Sequence, residues 1–449
     1  MVRSGTLVAA VLLVLASACS SSEPEATAPE ETAATSTTAP SPLTAPSTLP
    51  PTTTEPPPTV TTGARALLNE GFSSLRGLRV GLIANPTSVV GDDHLIDLLD
   101  QADDVVLAAI FAPEHGLRGS AGAGELLGDS VDRRTGVTVF SLYGDTFRPT
   151  QEMLDGVDVL VYDLQDVGSR FYTYIATMGL AMEAASEADI PFVVLDRPAV
   201  IGEVGGGFVL EDEQRSFVGP YEIPAAYGMT AAELARFLVA EGEIEGGAQL
   251  DLRVVPLRGW ERSMRWEETG IDWTPPSPGL PTPEAAVVYP GTVLLEATTI
   301  SFGGGTEHPF AQAGAPWADG VALAAELEAR GLPGVRFEAV DYEPRPISGR
   351  TVEPRLVGEA LSGVRIVVLD EATFSPVATG VHLLDAFLRQ GEALDEQVID
   401  RPEFFDLLAG TTRLRTELEA GIPAAEIVAS WTDELAEFSA RRAPHLLYG

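Results

Sequence analysis

Four short apolar runs constrain this chain more than any other feature: Arg79–Asn85 (RVGLIAN), Val105–Ala112 (VVLAAIFA), Val157–Asp163 (VDVLVYD) and Pro191–Asp196 (PFVVLD). They are rich in β-branched residues and apolar at successive rather than alternate positions, the pattern of strands covered on both faces. Further strands are expected at Val137–Leu142 and Leu250–Val255, and helical stretches at Asp93–Gln101 and Tyr172–Ala188 lie between. Thr230, with Glu233 three places on, opens another helix that runs to Glu241, because such a pair can satisfy two orphan backbone donors reciprocally. Strands alternating with helices in this way imply an α/β fold, a mostly parallel Rossmann-like sheet.

That regularity stops near Trp260. From there to Pro316 Trp, Pro and Gly are frequent and periodicity is poor, as in a long ordered loop. Beyond it, helices are expected at Gly320–Arg330, Ala378–Gln390, Pro402–Leu408 and Ala424–Arg442, with strands at Val335–Val340 and Val364–Leu369. About 390 residues are too many for one comfortable core. The reading is therefore a Rossmann-like domain over residues 63–275 followed by a smaller α+β domain over 276–449.

Residues 1–18 read as an export signal, with Arg3 ahead of an apolar run, Leu7 to Ala18, that is too short to span a bilayer. Ala16, Ser17 and Ala18 lead into Cys19, the only cysteine. A small-residue tripeptide before a lone cysteine suits lipid attachment to the thiol, and a single cysteine forms no intramolecular disulfide. Residues 19–62 are dominated by Ser, Thr, Pro, Ala and Glu, a composition unable to offset chain entropy by burial, and are expected to form a disordered stalk. The expected location is extracytoplasmic, on the outer face of the cytoplasmic membrane. With a formal charge of −38, the chain lacks the basic surface that nucleic-acid binding needs. It contains no lysine, which excludes Schiff-base and P-loop chemistry.

In parallel α/β sheets ligands bind beyond the carboxyl ends of the strands, so the residues just after each strand carry the functional reading. The first strand runs into Asn85 and Thr87, the second into Glu114, His115 and Arg118. The VDVLVYD strand ends at Asp163 and continues through Asp166, Arg170, Tyr172 and Tyr174, and PFVVLD ends at Asp196 and Arg197. Four strand ends bearing carboxylate, imidazole, guanidinium and amide groups fit an active cleft, although taken singly each also fits a cap or turn former, Asn85 and Asp196 equally well. Glycoside hydrolysis needs a proton donor and a second group across the sugar. Glu114 is the acid candidate, because partial desolvation after an apolar strand raises a carboxyl towards the working range. Asp166 and Asp163 are the nearest second carboxylates, with Asp196 and Glu296 behind them. Arg170 fits either a sugar carboxylate or a loop-holding pair with Asp166; Tyr172 and Tyr174 fit stacking on a sugar or core packing.

Other chemistries lack their motifs. The five histidines are scattered without metal-ligand spacing, so no metal is expected. Arg118-Gly119-Ser120-Ala121-Gly122 lacks the first glycine of a nucleophile elbow. Gly122-Ala123-Gly124 has Leu127 where a dinucleotide fingerprint needs glycine. No cofactor is expected.

Several segments together resemble one family: FAPEHGLRG (Phe111–Gly119), LVYDLQDVGSRFYTY (Leu160–Tyr174), VLDRP (Val194–Pro198), SFVGPYEIP (Ser216–Pro224), TGIDWTPPSP (Thr269–Pro278), YPGTVLLEAT (Tyr289–Thr298), GAPW (Gly314–Trp317) and the terminal HLLY (His445–Tyr448). They are similar, in order, to the exo-β-N-acetylmuramidases of glycoside hydrolase family 171, formerly a domain of unknown function. The resemblance implies release of terminal N-acetylmuramic acid (MurNAc) from the non-reducing ends of peptidoglycan fragments, in a cleft between two domains. It places Glu114 at the glutamate of the family's P-E-H-G stretch, with His115, Asp166 and Arg170 also retained. An arginine such as Arg170 or Arg118 would suit the anionic lactyl group, because guanidinium binds carboxylate with two prongs. Three stretches depart from the family: Tyr227 replaces the histidine of R-H-G-M-T, Phe302 and Gly304 replace the glutamate and arginine of S-E-G-R-G-T, and Gly279 lies in an altered P-S-P-N-M-P. These put sugar specificity in doubt more than the catalytic end. The alternatives are a hydrolase of another β-linked amino or acidic sugar, and a muropeptide-binding lipoprotein without turnover.

Overall fold

The computed structural model describes residues 60–117, 124–202, 205–351 and 354–449. Cys19, the export signal, the stalk up to residue 59 and Arg118 lie outside them. In chain order the strands are β1 Arg79–Ala84, the hairpin β2 Val89–Val90 and β3 Asp93–His94, β4 Val106–Ala112, β5 Ser130–Val131, β6 Thr138–Ser141, β7 Val159–Asp163, β8 Phe192–Leu195, the ribbon β9 Gly206–Val209 with β10 Pro224–Ala226, β11 Leu252–Val255, β12 Gln312–Ala315, β13 Val335–Tyr342 and β14 Leu361–Val368.

Seven of them form one sheet in the order β11-β8-β7-β1-β4-β6-β5, parallel throughout except for edge strand β5. The consecutive apolar residues read from the sequence are explained by two cores. Val80, Leu82, Val159, Val161, Val193 and Leu195 enter a cluster with Leu67 and Leu99, which lie on α1 (Gly63–Asn69) and α2 (Leu95–Asp100). The alternate residues Ile83, Leu160, Tyr162, Phe192 and Val194 enter the larger cluster with α3 (Tyr174–Glu187) and α4 (Ala231–Ala240). Period-two side chains feeding two helical layers leave the interior positions of the central strands apolar or aromatic. The capping box is present: Thr230 Oγ1 accepts from the Glu233 amide at 3.3 Å, and Glu233 Oε2 accepts from the Thr230 amide at 2.9 Å.

The chain enters the sheet at β1, moves outward through β4 and β6, then returns to β7 on the other side of β1. The order therefore reverses between β1 and β7, the kind of switch point beyond whose strand ends open α/β sheets bind ligands.

The smaller unit carries the antiparallel sheet β12-β14-β13, flanked by α6 (Gly320–Ala329) and α7 (Pro376–Ala393). Its core is not separate. The larger cluster of buried side chains runs from Ile83 and Tyr162 through Phe310, Val364 and Phe387 to Phe438.

Two sequence expectations fail here. The supposed loop 260–316 contains helix α5 (Pro283–Thr292), a 3-10 turn Val293–Ala297 and strand β12. α5 is buried on nearly every face and holds Pro290 within it, so it shows no amphipathic stripe for periodicity to detect. The closing helix is two helices, Ala424–Ser430 and Thr432–Arg442, broken at Trp431, which leaves helical geometry (φ −93°, ψ 3°) and packs edge-on against Phe208 at 5.2 Å.

Candidate active site

β4 ends in a tight turn, Pro113 to Gly116, closed by the Gly116 amide donating to Pro113 O at 2.9 Å. His115 (φ 68°) and Gly116 (φ 72°) both occupy the left-handed region. For a histidine that conformation is uncommon and strained, and it turns the chain sharply beside Glu114. The Glu114 side chain is largely enclosed, 8% exposed. Its Oε1 accepts from the Gly124 amide at 2.8 Å and its Oε2 from the Thr173 hydroxyl at 2.7 Å.

Around this carboxylate stands a cluster of phenols. Burial above all, with a contribution from the facing Glu114 charge, pushes Tyr143, Tyr172, Tyr174 and Tyr289 above the ordinary tyrosine value. Their rings interlock edge to face: Tyr172 on Tyr174 at 4.8 Å, Tyr172 on Tyr289 at 6.1 Å, and Tyr289 on Phe310 at 4.9 Å. Tyr174 donates to Pro276 O at 2.5 Å, joining the start of α3 to the proline-rich segment before α5.

Tyr289 also neighbours a second carboxyl, Glu296, in the 3-10 turn after α5. Desolvation, opposed by Arg401 and reinforced by the negative charge of Glu114, pushes its carboxyl up to about 7. Two carboxyl groups in mutual electrostatic reach, one holding its proton near neutrality, meet the chemical requirement for acid–base work on a glycosidic bond.

The remaining strand-end groups mostly bind each other. Asn85 Oδ1 accepts from the amide and hydroxyl of Thr87 at 2.9 and 2.6 Å, and Thr87 Oγ1 accepts from the Gln165 amide at 2.9 Å. This stitches the ends of β1 and β7. Asp163 and Arg197 form a buried two-pronged pair at 2.7 and 2.9 Å, tying β7 to β8. Asp196, pushed up to about 6 by burial, accepts from Thr230 at 2.8 Å and from the Tyr448 hydroxyl at 2.6 Å. The terminal HLLY segment thus folds back onto the end of β8, and Leu447 N donates to Glu233 at 2.7 Å.

Two sequence expectations need correction. Arg170 reaches neither a ligand nor Asp166. Its guanidinium is completely buried and donates to the carbonyls of Phe208, Ile223 and Leu408 at 2.9 to 3.0 Å, so its hydrogen bonds hold three backbone segments together. Burial pushes it down to about 9, still charged at neutral pH. Asp166 does not line up with Glu114 through any contact among the described residues. Its Oδ2 accepts from the Gly168 amide at 3.0 Å and from the Tyr227 hydroxyl, its Oδ1 is buried without a partner, and burial pushes it up to about 6. It lines a crevice of about 170 Å³ with Arg197 and Thr230 that is too narrow to admit water. Tyr227, one of the departures from the family pattern, therefore still supplies a donor to Asp166. Phe302, another, stacks on Phe310 at 4.7 Å.

Sequence reasoning missed Tyr143, Thr173 and Tyr289. Tyr143 follows β6 by two residues, so the strand-end rule that found Glu114 would have found it too. Thr173 and Tyr289 lie inside the quoted FYTY and YPGT segments, but only packing turns them towards Glu114.

A doubly covered parallel sheet with a carboxylate beyond the end of β4 and a second carboxyl in electrostatic reach of it is the arrangement of a hydrolase. Profiles described as exo-beta-N-acetylmuramidase NamZ, N-terminal and C-terminal, match residues 80–284 and 287–448. The peptidoglycan beta-N-acetylmuramidase NamZ of Bacillus subtilis (strain 168) is 42% identical over 398 residues, covering 87% of this chain and 91% of that protein. Two crystal structures of DUF1343 family proteins from Bacteroides fragilis NCTC 9343 superpose with TM-scores of 0.80 and 0.70, at 36% and 32% identity. Each covers 87% of this chain and 99% of its own. The chain belongs to the NamZ family of exo-β-N-acetylmuramidases, which are glycosidases.

Proposed function

We propose that this protein releases terminal MurNAc from the non-reducing ends of peptidoglycan fragments, using Glu114 and Glu296 as its acid–base pair. What supports this reading is a second carboxyl, Glu296, which burial pushes up to about 7 and which shares with Glu114 both Tyr289 as a neighbour and a mutual charge interaction. Glu296 then donates to the leaving oxygen. Glu114, whose two oxygens both accept hydrogen bonds, acts on the anomeric side as base or nucleophile. This exchanges the part expected of Glu114 from sequence, because both Glu114 oxygens already accept hydrogen bonds, whereas burial raises Glu296. Asp163, Asp166 and Arg197 act as supports for the cleft floor. Export, lipid attachment at Cys19 and a stalk that ends before Val60, where the chain joins the folded body rather than at residue 62, would hold the enzyme at the outer face of the cytoplasmic membrane, beside its polymer.

The test compares leaving groups. Wild type should cleave both a MurNAc–GlcNAc disaccharide and 4-nitrophenyl-MurNAc. E114Q should lose both activities by roughly 10²–10⁴-fold. E296Q should lose the disaccharide to a similar degree but keep most of the nitrophenyl activity, because nitrophenolate leaves without protonation. Wild-type inertness on both substrates, with MurNAc bound normally, would favour a binding lipoprotein instead.

A further inference from the structure

Arg401 has an unusual electrostatic position. Its guanidinium is half-buried, yet among the described residues it donates no hydrogen bond and has no carboxylate within ion-pair distance; its Nε is buried without a partner. Other enclosed arginines have their donors engaged: Arg197 holds Asp163, Arg262 holds Glu233 at 2.6 Å, and Arg170 donates to three backbone carbonyls. Asp400 and Glu296 act on it only from beyond ion-pair distance, and a half-desolvated cation so weakly compensated is costly to keep. Arg401 instead rests over the Phe404 ring, 5.1 Å from its centroid.

Its location ties it to the active site. The Arg401 amide donates to Ala297 O at 3.3 Å, next to Glu296. Arg355 donates through Nη1 to the Glu296 carbonyl at 3.1 Å and through Nη2 to Asp400 at 2.8 Å. Two guanidiniums therefore flank Glu296, one with a carboxylate partner and one without. Burial, and then the neighbouring Arg355 charge, hold Arg401 below the ordinary guanidinium value. An incoming anion would relieve both penalties.

We infer that Arg401 is the residue that reads the lactyl carboxylate of the bound MurNAc, distinguishing it from sugars without that charge. This rests on the glycosidase reading above. It transfers the role expected of Arg170, whose donors are consumed by backbone carbonyls, to a guanidinium with its donors free. A planar fork meeting a carboxylate with two parallel bonds supplies orientation as well as attraction, and so fixes the ring beside Glu296.

The experiment uses the full chain and two 4-nitrophenyl β-glycosides of one sugar: MurNAc with a free lactyl carboxylate, and its neutral methyl ester. Because nitrophenolate needs little acid assistance, effects passed through Glu296 alone are muted. Wild type should favour the free acid by roughly 10- to 100-fold in kcat/KM, the scale of a charge-assisted hydrogen bond. R401M, which retains the packing over Phe404, should erase that preference, with the loss falling on the free acid and through KM rather than kcat. R401K should restore part of it. The assignment is overturned if R401M keeps the wild-type ratio, or if it loses equally on both substrates, which would mark Arg401 as a support. Should wild type cleave neither glycoside, the glycosidase reading itself falls and takes this one with it.

Discussion

Replacing Glu296 by glutamine tests the cleft electrostatics without any substrate. Glu296 is an acid whose folded-state value is raised, from an ordinary 4.5 to about 7. The folded protein therefore binds this proton more tightly than the unfolded chain does. Its contribution to stability is complete below about pH 4.5 and is lost as pH rises to about 7. At about 1.4 kcal/mol per pH unit, the gap amounts to roughly 3 kcal/mol, an upper bound because the side chain keeps partial contact with solvent. Glutamine is neutral at every pH and escapes the loss. In urea unfolding followed by tryptophan fluorescence, wild type and E296Q should have similar stabilities at pH 4.5. By pH 8, E296Q should be the more stable by about 1–3 kcal/mol. Asp166 and Asp196 titrate near 6 in both proteins and cancel in the difference. A difference that stays flat from pH 4.5 to 8, or an E296Q less stable at pH 8, would refute the desolvation argument and remove the reason for naming Glu296 the proton donor.

R170L leaves the carbonyls of Phe208, Ile223 and Leu408 without donors and should cost about 3–5 kcal/mol. A loss below about 1 kcal/mol in the same unfolding assay would reopen a ligand role for Arg170. Y448F removes the hydroxyl that donates to buried Asp196 and should cost about 1–3 kcal/mol. That bond also holds the Asp196 carboxyl down, so its titration, followed by carboxyl NMR, should move above about 6; an unmoved titration would show the C-terminal segment to be a passive cover.

The sheet and the position of Glu114 were legible before any coordinates, and most of the site around Glu114 was not. The parallel sheet could be read because each of its central strands is buried on both faces, which leaves consecutive apolar residues that no amphipathic element produces. Glu114 could be read because topology alone sends ligands to the carboxyl ends of such strands. Helix α5 could not, because burial on every side erases the periodic signal. The chemistry of the other strand-end groups was also beyond sequence. Asp163 beside Arg197, Asp166 beneath Tyr227, and Arg170 against three carbonyls each look in one dimension like groups waiting for a ligand. In three dimensions their partners come from segments 34, 61 and as many as 238 residues away. Glu296 and Arg401 carry the converse lesson. Neither follows a strand of the main sheet; Glu296 lies in the YPGTVLLEAT segment as a secondary carboxylate candidate, and Arg401 carries no local pattern that marks it. Sequence determines which residues must be buried and in what order they run. Which polar groups are left over for chemistry depends on which others have been neutralised by distant partners, and only the folded chain decides that.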